Sequence, residues 1–262
     1  MWNIIKAQNY QIKKDNVTVY VFLFGLIISL IMPIVDGASD ISNLTGSDFV
    51  LALSSNIEVI FPIAVLVLTA RICGWDYGDK TMNYEILAGH SRKQVYWGRV
   101  VSSTVVTLVC CIVMTAVPTI LYTIIGGWGA SLDFVNVMLS FILAFFPLLR
   151  LISFFALLTF LLKNGYIAML VGWMLYGMQV IGITLFLDLF DIKANVQFAS
   201  INLRSLFNYD NATFKTVNGK DVAVFASSLS NRLIVLTIVV SLAVSAIYLL
   251  IGCRIFKHRD LS

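Results

Sequence analysis

The sequence predicts an all-α integral membrane protein with six transmembrane helices. Three observations carry that reading. Of 262 residues, 59% are hydrophobic and only 12% charged, with a mean hydropathy of +0.90, whereas soluble domains carry about 25% charged residues. One water-soluble core hides only about 75% of its chain's surface, so this much apolar surface calls for lipid as its solvent. The apolar runs are also continuous, and reach the length of about 20 residues that a helix needs to cross about 30 Å of hydrocarbon. Finally, lipid admits only helices and closed barrels, and the short alternating segments of a barrel are missing.

Residues 1–262 then form a single transmembrane domain. Its first element is an interfacial segment, 1–16. Met1, Trp2, Ile4, Ile5 and Ile12 share one arc at 100° per residue and the lysines fall outside it, as in a helix lying on a membrane surface. Gln8, Asn9 and Gln11 intrude on that arc, which leaves a frayed basic leader as the alternative. No cleavable signal is expected, because Lys13 and Lys14 directly precede a first span.

The spans follow as Val17–Val35, Ile57–Cys73 (with a start a few residues earlier left open), Val100–Ile125, Val137–Leu162, Tyr166–Leu187 and Leu233–Phe256. Lys6, Lys13 and Lys14 precede the first span. Arg71, Lys80, Arg92, Lys93 and Arg99 fall between the second and third, Lys163 between the fourth and fifth, and Arg254, Lys257 and Arg259 in the tail. Six spans place all of these on one side, so the positive-inside rule gives cytoplasmic termini. The opposite side carries "DGASDISNLTGSD", "GGWGASLD" and a longer outer loop, 188–232. That loop mixes apolar and polar residues, and a partly helical segment on the bilayer surface and a solvated loop both fit it. Two glycosylation triplets, at Asn43 and Asn211, lie on this outer side.

The densest charge lies in 74–99, "GWDYGDKTMNYEILAGHSRKQVYWGR", read as a cytoplasmic coupling region. Gly89 supplies a helix stop. Ser91 followed by Gln94 forms a capping box, so a new helix starts at Arg92 and runs into the third span. The outcome is helix, tight turn at Gly89-His90-Ser91, helix: a blunt knob with Arg92 and Lys93 at its tip. A knob of this kind fits a partner's groove. An amphipathic connector anchored to anionic headgroups is the plainer alternative.

Within the spans, Glu58 and Arg150 are intramembrane polar residues. Each stands thirteen residues from the basic residue ending its own span, Arg71 and Lys163 respectively, which at 1.5 Å per residue is about 20 Å. Equal depth permits an ion pair or a shared polar cluster. Alternatively, Glu58 reaches the outer headgroups and Arg150 bonds carbonyls freed by Pro147. Pro33, Pro62, Pro118 and Pro147 act as kinks or hinges. Gly165, Gly172, Gly177 and Gly182 allow close packing in the fifth span. Cys73, Cys110, Cys111 and Cys253 sit in apolar runs and read as small buried hydrophobes.

The pattern "DYGDKT…LAGHSRKQVYWGR" resembles the intracellular connection of ABC-2 type permeases, the membrane subunits of one class of ATP-binding-cassette exporter. In that family an acidic or aromatic pair precedes Gly-Thr, then Leu, a small residue with Ser-Arg, and an aliphatic-Tyr-x-Gly-Lys/Arg. Asp76 and Tyr77 stand for the pair, and Leu87, Gly89, Ser91, Arg92, Val95, Tyr96, Gly98 and Arg99 fit the rest. Asp79-Lys80-Thr81 departs from the expected Gly-Thr. The six-span layout, cytoplasmic termini, N-terminal interfacial helix and long last outer loop extend the likeness over most of the chain.

The resemblance implies a coupling helix between the second and third spans, with Leu87, Gly89, His90, Ser91, Arg92, Lys93 and Tyr96 meeting the ATPase. It implies two copies of an ATP-binding subunit, which would bind ATP and Mg, and a second permease subunit, identical or related. This chain has no phosphate loop, since "VNGKDV" lacks both the earlier glycine and the hydroxyl. No cofactor, metal site, catalytic residue or nucleic-acid partner is expected of it. The implied location is the plasma membrane of a bacterium, as a multi-pass protein, and small peptide exporters and lantibiotic-immunity permeases look nearest. The cargo is then amphipathic or hydrophobic, with peptide first and drugs or lipids as alternatives.

A non-transporting immunity or sensor protein is a second class. An intramembrane enzyme is a third, which the missing Gly-x-Ser-x-Gly and His-Glu-x-x-His motifs disfavour.

Overall fold

A computed structural model describes residues 2–35, 44–78, 85–189, 203–207, 212–217, 220–225 and 229–258. Met1, the triplet positions Asn43 and Asn211, the Asp79-Lys80-Thr81 departure, Arg259 and much of the 188–232 loop lie outside the described residues. Helix α1 covers Trp2–Lys14 and α2 Asn16–Val35. They are followed by α3 (Gly46–Gly78), α4 (Arg92–Gly126), α5 (Phe134–Leu162), α6 (Gly165–Leu189) and α7 (Asn231–His258). The six helices α2 to α7 are long and apolar enough to cross a membrane. This is the architecture of a multi-pass membrane protein.

The predicted spans all recur, but α3 begins eleven residues before Ile57. Ser54, Ser55 and Asn56 broke the apolar run in the sequence. In the fold their side chains bond carbonyls one turn back, Ser54 Oγ to Leu51 O at 2.6 Å and Asn56 Nδ2 to Ala52 O at 3.2 Å, so the helix continues through them. Thr45 caps the new start by bonding the Asp48 carboxylate from both its hydroxyl (2.7 Å) and its backbone N–H (3.0 Å). The orphan first-turn amides of Gly46 and Ser47 donate to Gly127 O and Trp128 O at 3.0 and 2.8 Å. The turn after α4 thus holds the start of α3. A Cβ on Gly126 would strike the Leu44 carbonyl, so the close approach requires glycine there.

Helices α3 and α4 have 33 and 35 residues, about 50 Å each, and outrun about 30 Å of hydrocarbon. Helix α5 is the most enclosed, 61% buried over its apolar window, and packs on α3, α6 and α7. The main core joins Phe49, Leu53, Leu68, Met114, Ile152 and Phe155. Thr237, Ser241 and Ser245, spaced by four and buried, let α7 lie close on α5. The outward faces of α2, α6 and α7 expose large apolar side chains such as Phe24, Leu170 and Leu250, as a lipid solvent requires.

The described part of the 188–232 loop holds a short 3-10 turn and a hairpin. A 3-10 turn, Leu203–Phe207, buries Leu203, Leu206 and Phe207 in the main core. Strands β1 (Ala212–Val217) and β2 (Lys220–Phe225) pair antiparallel, Val217 opposite Lys220. Phe225 N–H then donates to Ser131 O at 2.9 Å, tying the hairpin to the α4–α5 connection.

Candidate functional site

The end of the bundle where α1 starts and α7 stops is the basic end, and α1 lies across it. A Cβ added at Gly98 of α4 would come within 2.8 Å of Ile4 Cγ2, so glycine lets the two helices meet. Gln8, an intruder on the apolar arc, is buried and donates to Glu85 Oε1 at 3.3 Å. At Gln8 the arc is broken because that side of α1 faces protein, while Asn9 and Gln11 are exposed.

Residues 85–87 are the end of a helix that stops as the sequence predicts. Gly89 takes φ +89°. Gly89 N–H donates to Ile86 O and His90 N–H to Glu85 O, at 3.0 and 3.3 Å. This is a Schellman closure with glycine at the left-handed position. Ser91 then opens α4 with the full capping box: Gln94 N–H donates to Ser91 Oγ (3.3 Å) and Ser91 N–H to Gln94 Oε1 (3.1 Å).

Leu87 stands at the tip, 80% exposed, with Gly89, Ser91 and Lys93 also exposed and His90 half-buried. Arg92 leans toward the end of α7, donating from Nη1 to Lys257 O at 3.2 Å. Tyr96 points inward and is wholly buried. Its ring lies between Phe160 (4.8 Å) and Phe256 (6.0 Å), and its hydroxyl donates to Leu249 O at 2.9 Å. Of the predicted set, Leu87, Gly89, His90, Ser91 and Lys93 therefore share one projection, Arg92 bridges it to α7, and Tyr96 anchors it from inside.

Two charge contacts were missed. Arg99, fully buried, donates from Nη2 to Glu85 Oε1 at 3.0 Å. Glu85 thus fastens the turn to α1 and α4 together. Arg71 of α3 grips Asp15 with two nitrogens, at 2.8 and 3.1 Å, and stacks on Trp75 at 3.2 Å. Asp15 also accepts from Thr18 at the start of α2. The Arg71 hydrogen bonds hold the Asp15 carboxyl below its usual pKa, against the opposing effect of partial burial. In the sequence Arg71 read as a marker of orientation and depth, and Arg99 as a marker of orientation and the last residue of the permease-like pattern, neither with an acidic partner. The available signal was that Asp15 and Glu85 are acids set in the two most basic stretches.

Deeper in the bundle, Tyr176 of α6 donates its hydroxyl to the backbone carbonyl of Glu58 at 3.2 Å. Its ring also lines a cavity beside Arg150, so one side chain brings the neighbourhoods of the two predicted intramembrane residues together. Toward the far end, a second cavity of about 520 Å³ opens among α3, α4, α5 and the 3-10 turn. Its wall is apolar but for Thr115, Thr119 and Thr123, whose hydroxyls bond carbonyls of their own helix. Cys73, Cys110 and Cys111 are buried and unbridged.

Comparison with known protein families and with curated proteins finds no match.

Proposed function

We propose that this chain is the permease subunit of an ATP-driven exporter, with its basic end in the cytoplasm of a bacterium. One observation carries the reading: an exposed, rigidly closed turn stands beyond the spans and is braced to α1, α4 and α7. A connector that merely anchors to headgroups needs no such bracing. Force applied at Leu87 and Lys93 passes along α4 through Arg99 and Tyr96, and reaches α7 through Arg92.

On this reading the force comes from an ATP-binding subunit, two copies per assembly, and a second permease chain completes the pathway. The resemblance of the turn to ABC-2 permeases supports both partners. The apolar wall of the 520 Å³ cavity supports a hydrophobic or amphipathic cargo, with peptide the first candidate. Tight closure of the turn favours this over a sensor or immunity protein that moves nothing.

The test pairs labelling with pull-down. His90→Cys in intact cells should react only after the inner face is exposed. Leu87→Asp with Lys93→Glu should abolish co-purification of an ATP-hydrolysing protein and ATP-driven efflux, without lowering the Tm. Labelling of Cys at position 90 from outside would sink the proposal.

A further inference from the structure

Helices α4 and α5 follow one another in the sequence, yet each packs far more extensively on α3 than on the other. The cavity of about 520 Å³ lies in that gap. Phe61 of α3, Leu148 of α5 and Phe207 of the 3-10 turn line it and are buried. Ile112, Ile120 and Ile124 of α4 and Ile142 of α5 line it too, but are exposed. Its open side is therefore continuous with the lipid-facing surface.

Along α4 the lining runs from Cys111 to Ile124, about 20 Å at 1.5 Å per residue. One leaflet contributes about 15 Å of hydrocarbon. The slot thus covers the depth of the leaflet away from the basic end, beginning near the α4–α5 connection. There Trp128 meets Phe134 edge-on at 4.9 Å, and aromatic rings of this kind mark the headgroup level.

Three features choose the occupant. Water finds too few partners on such a wall, and a void forfeits the contacts of every atom that lines it. Among the described residues, the hydroxyls of Thr115, Thr119 and Thr123 already donate to carbonyls of α4. The carbonyls of a peptide backbone would find no hydroxyl donor there, an expensive state in hydrocarbon. Size supplies the third feature. An apolar cavity of about 150 Å³ holds one six-carbon benzene, so on that scale this one takes about twenty carbons.

We infer that this cavity holds one acyl chain of a bilayer lipid. The acyl chain enters sideways from the leaflet away from the basic end, and its headgroup stays outside at the level of Trp128. The binding itself needs no transport. Taken as a cargo site, which rests on the transport reading above, the cavity favours lipid-like amphiphiles over peptides.

The experiment uses the full protein in nanodiscs without any ATPase, so binding is scored whether or not the protein transports. The discs are phosphatidylcholine with a trace of a photoreactive phosphatidylcholine, a diazirine halfway along one acyl chain. Cross-links are located by peptide mass spectrometry. Segments 111–124 and 134–148 should be labelled about fivefold more than the lipid-exposed face of α2. Ala116→Phe, which fills the slot from its wall, should bring them down to the α2 level and leave α2 unchanged. Phosphatidylglycerol with the same acyl chain should label alike, because the wall meets the acyl chain and not the headgroup.

Labelling at the α2 level in the native protein overturns the inference. So does undiminished labelling of Ala116→Phe or, should that variant not fold, of Thr119→Phe. Labelling that follows the headgroup would make this a headgroup site. Copies of Ile120→Cys cross-linking to each other would make it a subunit interface. Either overturns the inference equally.

Discussion

Arg99 is sealed from solvent while its partner Glu85, fourteen residues earlier, keeps 22% of its side chain exposed, their charged atoms 3.0 Å apart. The asymmetry sets the cost of breaking the pair. Removing the acid strands a wholly buried cation, whereas removing the base leaves an acid whose Oε1 keeps the Gln8 amide as a donor. Glu85→Ala should therefore cost about 3–5 kcal/mol, and Arg99→Met clearly less. Unfolding in mixed detergent measures both. The reverse order would show that Glu85 is not the counter-ion on which Arg99 depends.

Asp15 and Arg71 give the fold an acid-sensitive joint between α2 and α3. Arg71 lowers the folded-state pKa of Asp15 below its unfolded value. Its contribution is then fully present above the ordinary Asp range, near pH 4, and is lost as pH falls through the lowered folded value. Asp15→Asn keeps a capping side chain for Thr18 but gives up the charge. It should cost about 1 kcal/mol at neutral pH. The Tm gap between variant and native chain should close as pH drops below about 4. A gap that persists unchanged at pH 3 excludes the ion pair as its cause.

Gly89 separates backbone strain from crowding. A Cβ there meets nothing within 4 Å, yet φ is +89°. Gly89→Ala is therefore penalised only through its backbone, by about 1–2 kcal/mol. Asn, which tolerates left-handed geometry, should lose less. The Tm should hardly move, because the turn is exposed and local. Faster amide exchange at His90, with its bond to Glu85 loosened, is the expected signature, and Ala and Asn exchanging alike would refute it.

What the sequence made legible was local. The capping box at Ser91 and Gln94, the stop at Gly89 and six apolar runs each depend on neighbours within a few residues, and all recur in the fold. The start of α3 was missed because Ser54, Ser55 and Asn56 look polar until their bonds to the preceding turn are seen. The hairpin was missed although "ATFKTV" and "KDVAVF" flank Asn218-Gly219, a strong two-residue hairpin signal. "VNGKDV" had been weighed only as a phosphate loop. Glu85 with Gln8 and Arg99, and Asp15 with Arg71, join residues 14 to 77 positions apart, and no periodicity in one chain reports such pairs.

The contact between Tyr96 and Gly252 tests whether the turn is wired to α7. A Cβ at Gly252 would fall 2.6 Å from the Tyr96 hydroxyl, which itself bonds Leu249 O. Gly252→Ala should push the ring aside and cost about 1–3 kcal/mol. Tyr96→Phe gives up one hydrogen bond, about 1 kcal/mol, but clears the oxygen from the path of the new methyl. The two changes touch the same atom, so their effects cannot add. The double variant should be more stable than the sum of the single losses predicts, by about 1 kcal/mol. Strict additivity would mean that α7 relaxes away from α4 at no cost, and that a push on the turn would be lost before it reached the last span.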